Sequence, residues 1–369
     1  MRGQISLIVA LAGLLFLASC KPAATDLKSE GHARVVFEDS IFNEKFIPSG
    51  EGFTGGDGTY SIVLPDGRTL WIFGDSFIGG VTADYHRIKT SPLYIRNSFV
   101  TFEEGKLQTH QQGDPRDFKS MIIPPEVADG TSGKSELALW YWPGDAFIED
   151  GNLNVFVSKF SQENPDDMWG FKFLDTELAE FSLPDLKPLR VNRFPNLDSV
   201  HYGHAICETD EYLYIYGLKN KLPYVARTPI GNVRGEWQFF NGESWVNNPK
   251  EAAPLIEFTG SEQFSVFEFN GTYIMIMQEG EFGRKIYSFT AATPFGPWQN
   301  KQMIYETPPL TGCESCFTYN AVAHPQFTED NYLLISYNTN SMHLQDHYEN
   351  ALIYRPRFIR VPIEKILSE

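Results

Sequence analysis

Asp57 and Asp75 stand at the outer ends of two runs of strand character that flank Pro65-Asp66-Gly67, a tight-turn signal. Antiparallel pairing folds the start of the first run back beside the end of the second, so both carboxylates reach one rim of a hairpin. Each neighbours glycine, in Gly56-Asp57-Gly58 and Gly74-Asp75, where the backbone turns tightly and a second molecule can come close. Like charges crowded together push at least one pKa upward, which separates an acid from a base and suits cleavage of a glycosidic bond. The same residues would also serve as calcium ligands or turn caps.

The elements that must hold such a pair are strands. Helix signals are confined to 126–132 and 362–368, whereas strand signals recur at hairpin spacing. The run around Ile72 has counterparts centred on Val155, Ile215, Ile276 and Ile335, at intervals of 83, 60, 61 and 59 residues. Each is preceded by a turn signal and another short strand, so the repeating unit is a hairpin with further strands. Five such units closing radially predict an all-β, five-bladed β-propeller of about 60 residues per blade, with an insertion in the first unit. Pairing of 34–50 with 352–361 would close the ring, and a two-sheet sandwich is the alternative.

In a propeller the starts of inner strands and the ends of second strands share one face. That face would collect Asp57, Trp142, Asp145, His201 to His204, Glu262, Tyr319 and Asn320 from the first set, and Asp75, Glu279 and Asn338 from the second. The catalytic candidates are therefore Asp57, Asp75, Glu262 and Glu279. Trp142, Asp145, Tyr202, His204, Asn320 and Asn338 are candidates for contacts to sugar rings and hydroxyls. Arg96 and Arg227 are further contacts from outer loops, while Glu136 falls outside the site and His324 reads as structural.

The chain of 369 residues is 42% hydrophobic and 14% aromatic, ample for a core, and carries a formal charge of -17 that disfavours nucleic acid as a partner. Residues 1–19 have the basic start and short apolar run of a secretory signal, and Leu17-Ala18-Ser19-Cys20 resembles a bacterial lipobox. We expect cleavage before Cys20, its lipidation, a polar tether over 20–33, and a single domain over 34–369 held at the cell envelope. An ordinary signal peptide is the alternative. Cys313 and Cys316 are spaced for a small disulfide loop in an oxidising compartment, against a zinc clip completed by His324. No cofactor is required by this reading, although calcium would suit the acids, and no dedicated metal ligand set is assigned.

Gly-Gly-Asp-Gly-Thr-Tyr-Ser, Leu-Pro-Asp-Gly-Arg-Thr-Leu-Trp-Ile-Phe-Gly-Asp-Ser, Tyr-Asn-Ala-Val-Ala-His-Pro and Leu-Leu-Ile-Ser-Tyr-Asn-Thr-Asn-Ser carry a resemblance over about residues 45–361. They resemble a bacterial family of former unknown function that is similar to endo-D-arabinanase propellers, and more widely to arabinanase-like hydrolases. The resemblance implies furanoside hydrolysis by two carboxylates in a central funnel, with Asp57 where such propellers carry their base or nucleophile. The sequence is thus read as a monomeric, envelope-anchored hydrolase of an arabinan-like polysaccharide. A propeller that binds glycans without cleaving them is the second reading, and a protein-docking scaffold the third.

Overall fold

A computed structural model describes residues 34–114, 117–167, 169–194 and 197–368. The chain divides into units 1–34 and 35–369, and only Arg34 of the first is described. The signal, Cys20 and the tether lie outside the described residues.

Alternating apolar strands separated by Asp-Gly, Asn-Gly and similar turns build, among the described residues, six antiparallel sheets, five of them the blades of a five-bladed β-propeller and the sixth a two-stranded ladder beyond the first blade. Blade 1 comprises Tyr60–Val63, Thr69–Phe73, Ser98–Glu103 and Lys106–His110 from the inside outward. Blade 2 comprises Leu139–Glu149, Asn152–Gln162, Phe171–Ser182 and Lys187–Arg193, and blade 3 begins with His201–Glu208, Tyr212–Lys219 and Leu222–Pro229. Blade 4 comprises Ser265–Phe269, Thr272–Gln278, Lys285–Ala291 and Gln299–Glu306. Blade 5 takes Cys316–Glu329, Tyr332–Ser341 and Pro356–Pro362 from the end of the chain and Phe37–Glu38 from near its start.

That last pairing closes the ring, with Phe37 opposite Arg360. A helix the sequence did not announce, Ser40–Lys45, reinforces the closure. Asp39 caps it by accepting from the Phe42 amide at 2.8 Å and also accepts from Arg360 Nε at 2.7 Å, a buried pair with both bonds made. The five repeat residues Ile72, Val155, Ile215, Ile276 and Ile335 are all fully buried on second strands, where each blade packs on the next. The apolar repeat in the sequence is therefore the packing repeat of the ring.

The inner strands of blades 2 and 3 each break their ladder once, and that of blade 5 twice, the second time between His324 and Glu329. Register shifts leave Gly144-Asp145, Gly203-His204 and Asn320-Ala321 out of the pairing. Such bulges turn a side chain out of the two-faced alternation of a strand. Here they send Asp145 and Asn320 sideways into neighbouring blades: Asp145 accepts from the Ile206 amide and Asn320 from Ser261 Oγ. Gly203 has φ +96°, and a Cβ there would lie 2.3 Å from Phe156 Cβ. Gly203→Ala is therefore expected to cost about 3 kcal/mol, from overpacking and left-handed strain together, and to lower the midpoint of thermal unfolding by several degrees. An unchanged midpoint would mean that blades 2 and 3 are not in tight contact at this bulge.

Candidate functional site

The hairpin that carries Asp57 and Asp75 is two ladders rather than one. Tyr60–Val63 pairs with Thr69–Phe73 across the Pro65-Asp66-Gly67 turn, and Gly50–Gly56 pairs with Ser76–Val81 beyond it. Between the ladders lie Asp57, Gly58 and Thr59 on one strand and Gly74 and Asp75 on the other. The Gly74 amide donates to the Asp57 carbonyl at 2.7 Å, and a Cβ on Gly74 would meet Asp57 Oδ1 at 2.5 Å. Glycine at position 74 leaves room for the carboxylate. The structure thus brings both aspartates to one rim.

Their environments differ. Asp57 Oδ2 accepts from the Tyr319 hydroxyl at 2.6 Å, and that hydroxyl accepts from Asn340 Nδ2 at 3.0 Å. Burial first and the neighbouring Asp75 charge second raise its pKa well above the usual carboxylate range, against the opposing pull of Tyr319 and Tyr354. Asp75 is also raised by burial, yet Arg96, the Trp142 indole and their hydrogen bonds oppose the rise. Trp142 Nε1 donates to Asp75 Oδ1 at 2.8 Å, and Arg96 Nη1 donates to Oδ2 at 3.1 Å. Of the two, Asp57 is the carboxyl more favoured to hold a proton, and Asp75, beside the guanidinium, the one more favoured to carry the charge.

Arg96 reaches Asp75 because the first-blade insertion folds back. Ser76 and Ile95 exchange backbone hydrogen bonds at 2.8 and 2.9 Å, bringing 96 beside 75. The guanidinium lies 3.8 Å from the Trp140 ring centroid and donates to the Leu137 carbonyl, so it is fixed before any ligand arrives.

Glu262 stands on the wall between blades 3 and 4. Its Oε1 lies 2.8 Å from His201 Nδ1 and 3.2 Å from His204 Nε2. Burial acts to raise its pKa, but the two imidazoles outweigh it and hold the carboxylate well below its ordinary range. The side chain is 45% open to solvent. Tyr60 links this wall to the first blade, donating to the His204 carbonyl at 2.8 Å.

The other sequence-derived candidates have structural partners. Asp145 is pushed up to about 7 by burial, yet both oxygens are taken by the Ala146 and Ile206 amides, so it ties blade 2 to blade 3. Glu279 is committed to its own turn, within 3.3 Å of the Lys285 amide and 3.5 Å of the Tyr287 hydroxyl. Tyr202 is a core aromatic at 1% exposure, packed against Trp237 and Phe239 rather than facing the funnel. Asn320 and Asn338 are buried too: Asn320 holds Ser261 and the Gln263 amide, and Asn338 holds Thr59. These three residues were expected at the sugar and instead brace the scaffold, because full burial removes them from any ligand.

Arg227 stacks on Tyr212 and Trp245 in the third blade and also bonds Gln238. His324 is a core residue between Ser61 and Ser336, its pKa lowered to about 3 by burial and by Arg360. Cys313 and Cys316 are joined, with Cα atoms 5.4 Å apart, and Cys207 is a buried thiol pushed up to about 12 by burial.

An aromatic chain crosses the mouth and escaped the sequence reading. It runs from Trp142 to Phe171 (5.0 Å between centroids), Trp169 (6.2 Å), Phe282 (5.4 Å), Phe317 (4.3 Å) and Tyr319 (5.4 Å). Its two ends are the residues that hold Asp75 and Asp57. The Trp169 to Phe282 contact joins blades 2 and 4, which are not neighbours. It passes over blade 3, whose second and third strands are linked by only Asn220 and Lys221, because the blade 2 hairpin is longer. Trp169 is 48% exposed and offers a ring face to the solvent.

The family model described as a domain of unknown function, DUF5005, matches residues 39–363. No curated protein matches the sequence. Among solved structures, a candidate hydrolase from Bacteroides ovatus ATCC 8483 is 24% identical, with a TM-score of 0.75 over 88% of this chain and 90% of that one. A protein of unknown function from Dyadobacter fermentans DSM 18053 is 10% identical, with a TM-score of 0.52 over 88% and 82%. Both similarities concern the fold. The α-L-arabinofuranosidase PaAbf62A from Podospora anserina, solved with cellotriose, is 11% identical over 85% and 94%, and its TM-score of 0.48 carries no weight for the site.

Proposed function

The chain belongs to the DUF5005 family, and we propose that this member is a glycoside hydrolase acting on a furanose-containing, arabinan-like polysaccharide. The observation that carries the reading is the unequal pair in the gap between two ladders, with Asp57 holding a proton and Asp75 held charged by Arg96 and Trp142. Glycosidic cleavage needs a carboxylic acid to protonate the leaving oxygen and a carboxylate to attack the anomeric carbon or to activate water. Asp57 supplies the first and Asp75 the second. This assignment inverts the role that the family resemblance implies for Asp57, because among the described residues the guanidinium bonded to the pair, that of Arg96, stands on Asp75. Tyr319 holds the acid in place, and the aromatic chain between Tyr319 and Trp142 gives sugar rings a surface to stack on. The anchor belongs to the same proposal: lipidation of Cys20 keeps the enzyme at the envelope, and an acyl mass on the N-terminal peptide of the mature protein checks it.

The test is release of reducing ends from a panel of arabinans, fructans and pyranose polymers. Turnover of a furanoside is expected, and saturable binding without turnover of any glycan would replace the hydrolase with a glycan-binding propeller. Trp169→Ala is expected to raise KM about tenfold and leave kcat within about threefold, since the residue touches substrate by stacking and not the reacting atoms. A fall in kcat with unchanged KM would place Trp169 outside the binding surface.

A further inference from the structure

We infer that His201, His204 and Glu262 form a binding site for a divalent transition-metal ion on the funnel wall between blades 3 and 4. The inference goes beyond the hydrolase reading and does not rest on it.

One ligand atom from each of the three side chains lies within 4.8 Å of the others. Metal–ligand bonds near 2.1 Å place tetrahedral donors about 3.4 Å apart. The observed separations from Glu262 Oε1, 2.8 Å to His201 Nδ1 and 3.2 Å to His204 Nε2, are a little shorter than that, and the third lies within 4.8 Å, so small side-chain adjustments would admit an ion. His204 supplies an independent observation. It is 5% exposed, and among the described residues neither ring nitrogen makes a well-aligned hydrogen bond, Nε2 sitting near Glu262 but out of line. A buried imidazole left this way is costly unless something else takes its lone pair.

The backbone is shaped for the convergence. Residues three apart on an unbroken strand face opposite sides, so His201 and His204 would normally point apart. The bulge at Gly203-His204 takes His204 out of the alternation and turns its ring to the carboxylate that His201 meets. Phe173 stacks on the His201 ring at 3.6 Å, and Tyr60 holds the His204 carbonyl, so both imidazoles are positioned from outside the cluster.

The donor set selects the ion. Two imidazole nitrogens and one carboxylate suit zinc and its neighbours, whereas calcium takes six to eight oxygens. Three protein ligands leave at least one position open toward the funnel, where Glu262 is exposed, so a bound ion would still face water or a sugar hydroxyl.

The test uses the full chain after chelator treatment, titrated separately with zinc and calcium chloride by calorimetry. One equivalent of zinc is expected to bind at least about 100-fold more tightly than calcium. His201→Ala and Glu262→Gln are each expected to weaken zinc by about 30-fold or more while leaving thermal unfolding of the metal-free chain in place. His204→Ala is the less suitable variant, since its burial risks the fold. Cobalt gives a second readout, a visible absorption band that the double variant His201→Ala/Glu262→Gln should lose. Absence of saturable zinc binding, calcium binding as tight as zinc, or zinc binding unchanged in the double variant would each overturn the inference. None of these outcomes bears on Asp57 or Asp75.

Discussion

Asp57→Asn is expected to lower kcat/KM on a cleaved glycan by about a thousandfold with thermal unfolding nearly unchanged, and Asp75→Asn by about ten-thousandfold with some loss of stability, since Arg96 loses its counter-charge. Both replacements keep volume and an acceptor oxygen, so Tyr319 can still donate at position 57 and Trp142 at position 75. What is lost differs. Asparagine at 57 has no proton of the right acidity to pass to the leaving oxygen, so glycans with good leaving groups should be spared much of the loss. Asparagine at 75 cannot attack or activate water, and leaving-group acidity should not rescue it. Equal sensitivity of both variants to the leaving group would remove the division of labour. Wild-type rates in either variant would remove that residue from the chemistry.

The second large effect concerns Arg96. Its guanidinium is 9% exposed and works against the burial that raises the Asp75 pKa. Arg96→Met keeps much of the side-chain length over Trp140 and removes the charge. Activity requires Asp75 ionised, so the acid limb of the pH profile follows the pKa of Asp75, and removing a nearby cation raises that pKa. The acid limb should therefore move to higher pH, and kcat/KM at its optimum should fall by about a hundredfold. The alkaline limb reports loss of the Asp57 proton; Arg96 bonds Asp75 and not Asp57, so through the coupled pair this limb should move less than the acid limb. A loss of rate with no displacement of the acid limb would mean that Arg96 serves the fold and not the charge of Asp75. The melting temperature separates the two, because a variant that fails by misfolding loses stability as well.

The parts of this architecture that were legible in the sequence are those written in local chemistry. The Asp-Gly turn and its flanking alternation specify the hairpin, and the spacing of Ile72, Val155, Ile215, Ile276 and Ile335 specifies the ring, because one buried position per blade must recur. The rim shared by Asp57 and Asp75 follows from antiparallel pairing alone. What was not legible depends on departures from regular pairing and on contacts between distant segments. The bulges at Gly144-Asp145, Gly203-His204 and Asn320-Ala321 turn side chains sideways, so Asn320 enters the scaffold and His204 meets Glu262. The glycines before Asp145 and His204 were the available signal. Tyr202 lies one residue from the bulge, and strand alternation places it against Trp237. Asn338 occupies the blade 5 counterpart of Asp75, but position in a blade does not say whether a residue opens to solvent, and Thr59 covers it. The Trp169 to Phe282 contact joins residues more than a hundred positions apart in blades that are not neighbours in the ring, which no local pattern encodes.

The division of one proton between two aspartates is open to direct observation. Carbon-13 labelling of aspartate carboxyls would follow both sites through pH in the wild type and in Asp75→Asn. The expected result is Asp57 titrating above Asp75 in the wild type, with the Asp57 transition moving to lower pH once the charge at 75 is gone. Asp75 titrating above Asp57, or an Asp57 transition unmoved in Asp75→Asn, would contradict the assignment of acid and base.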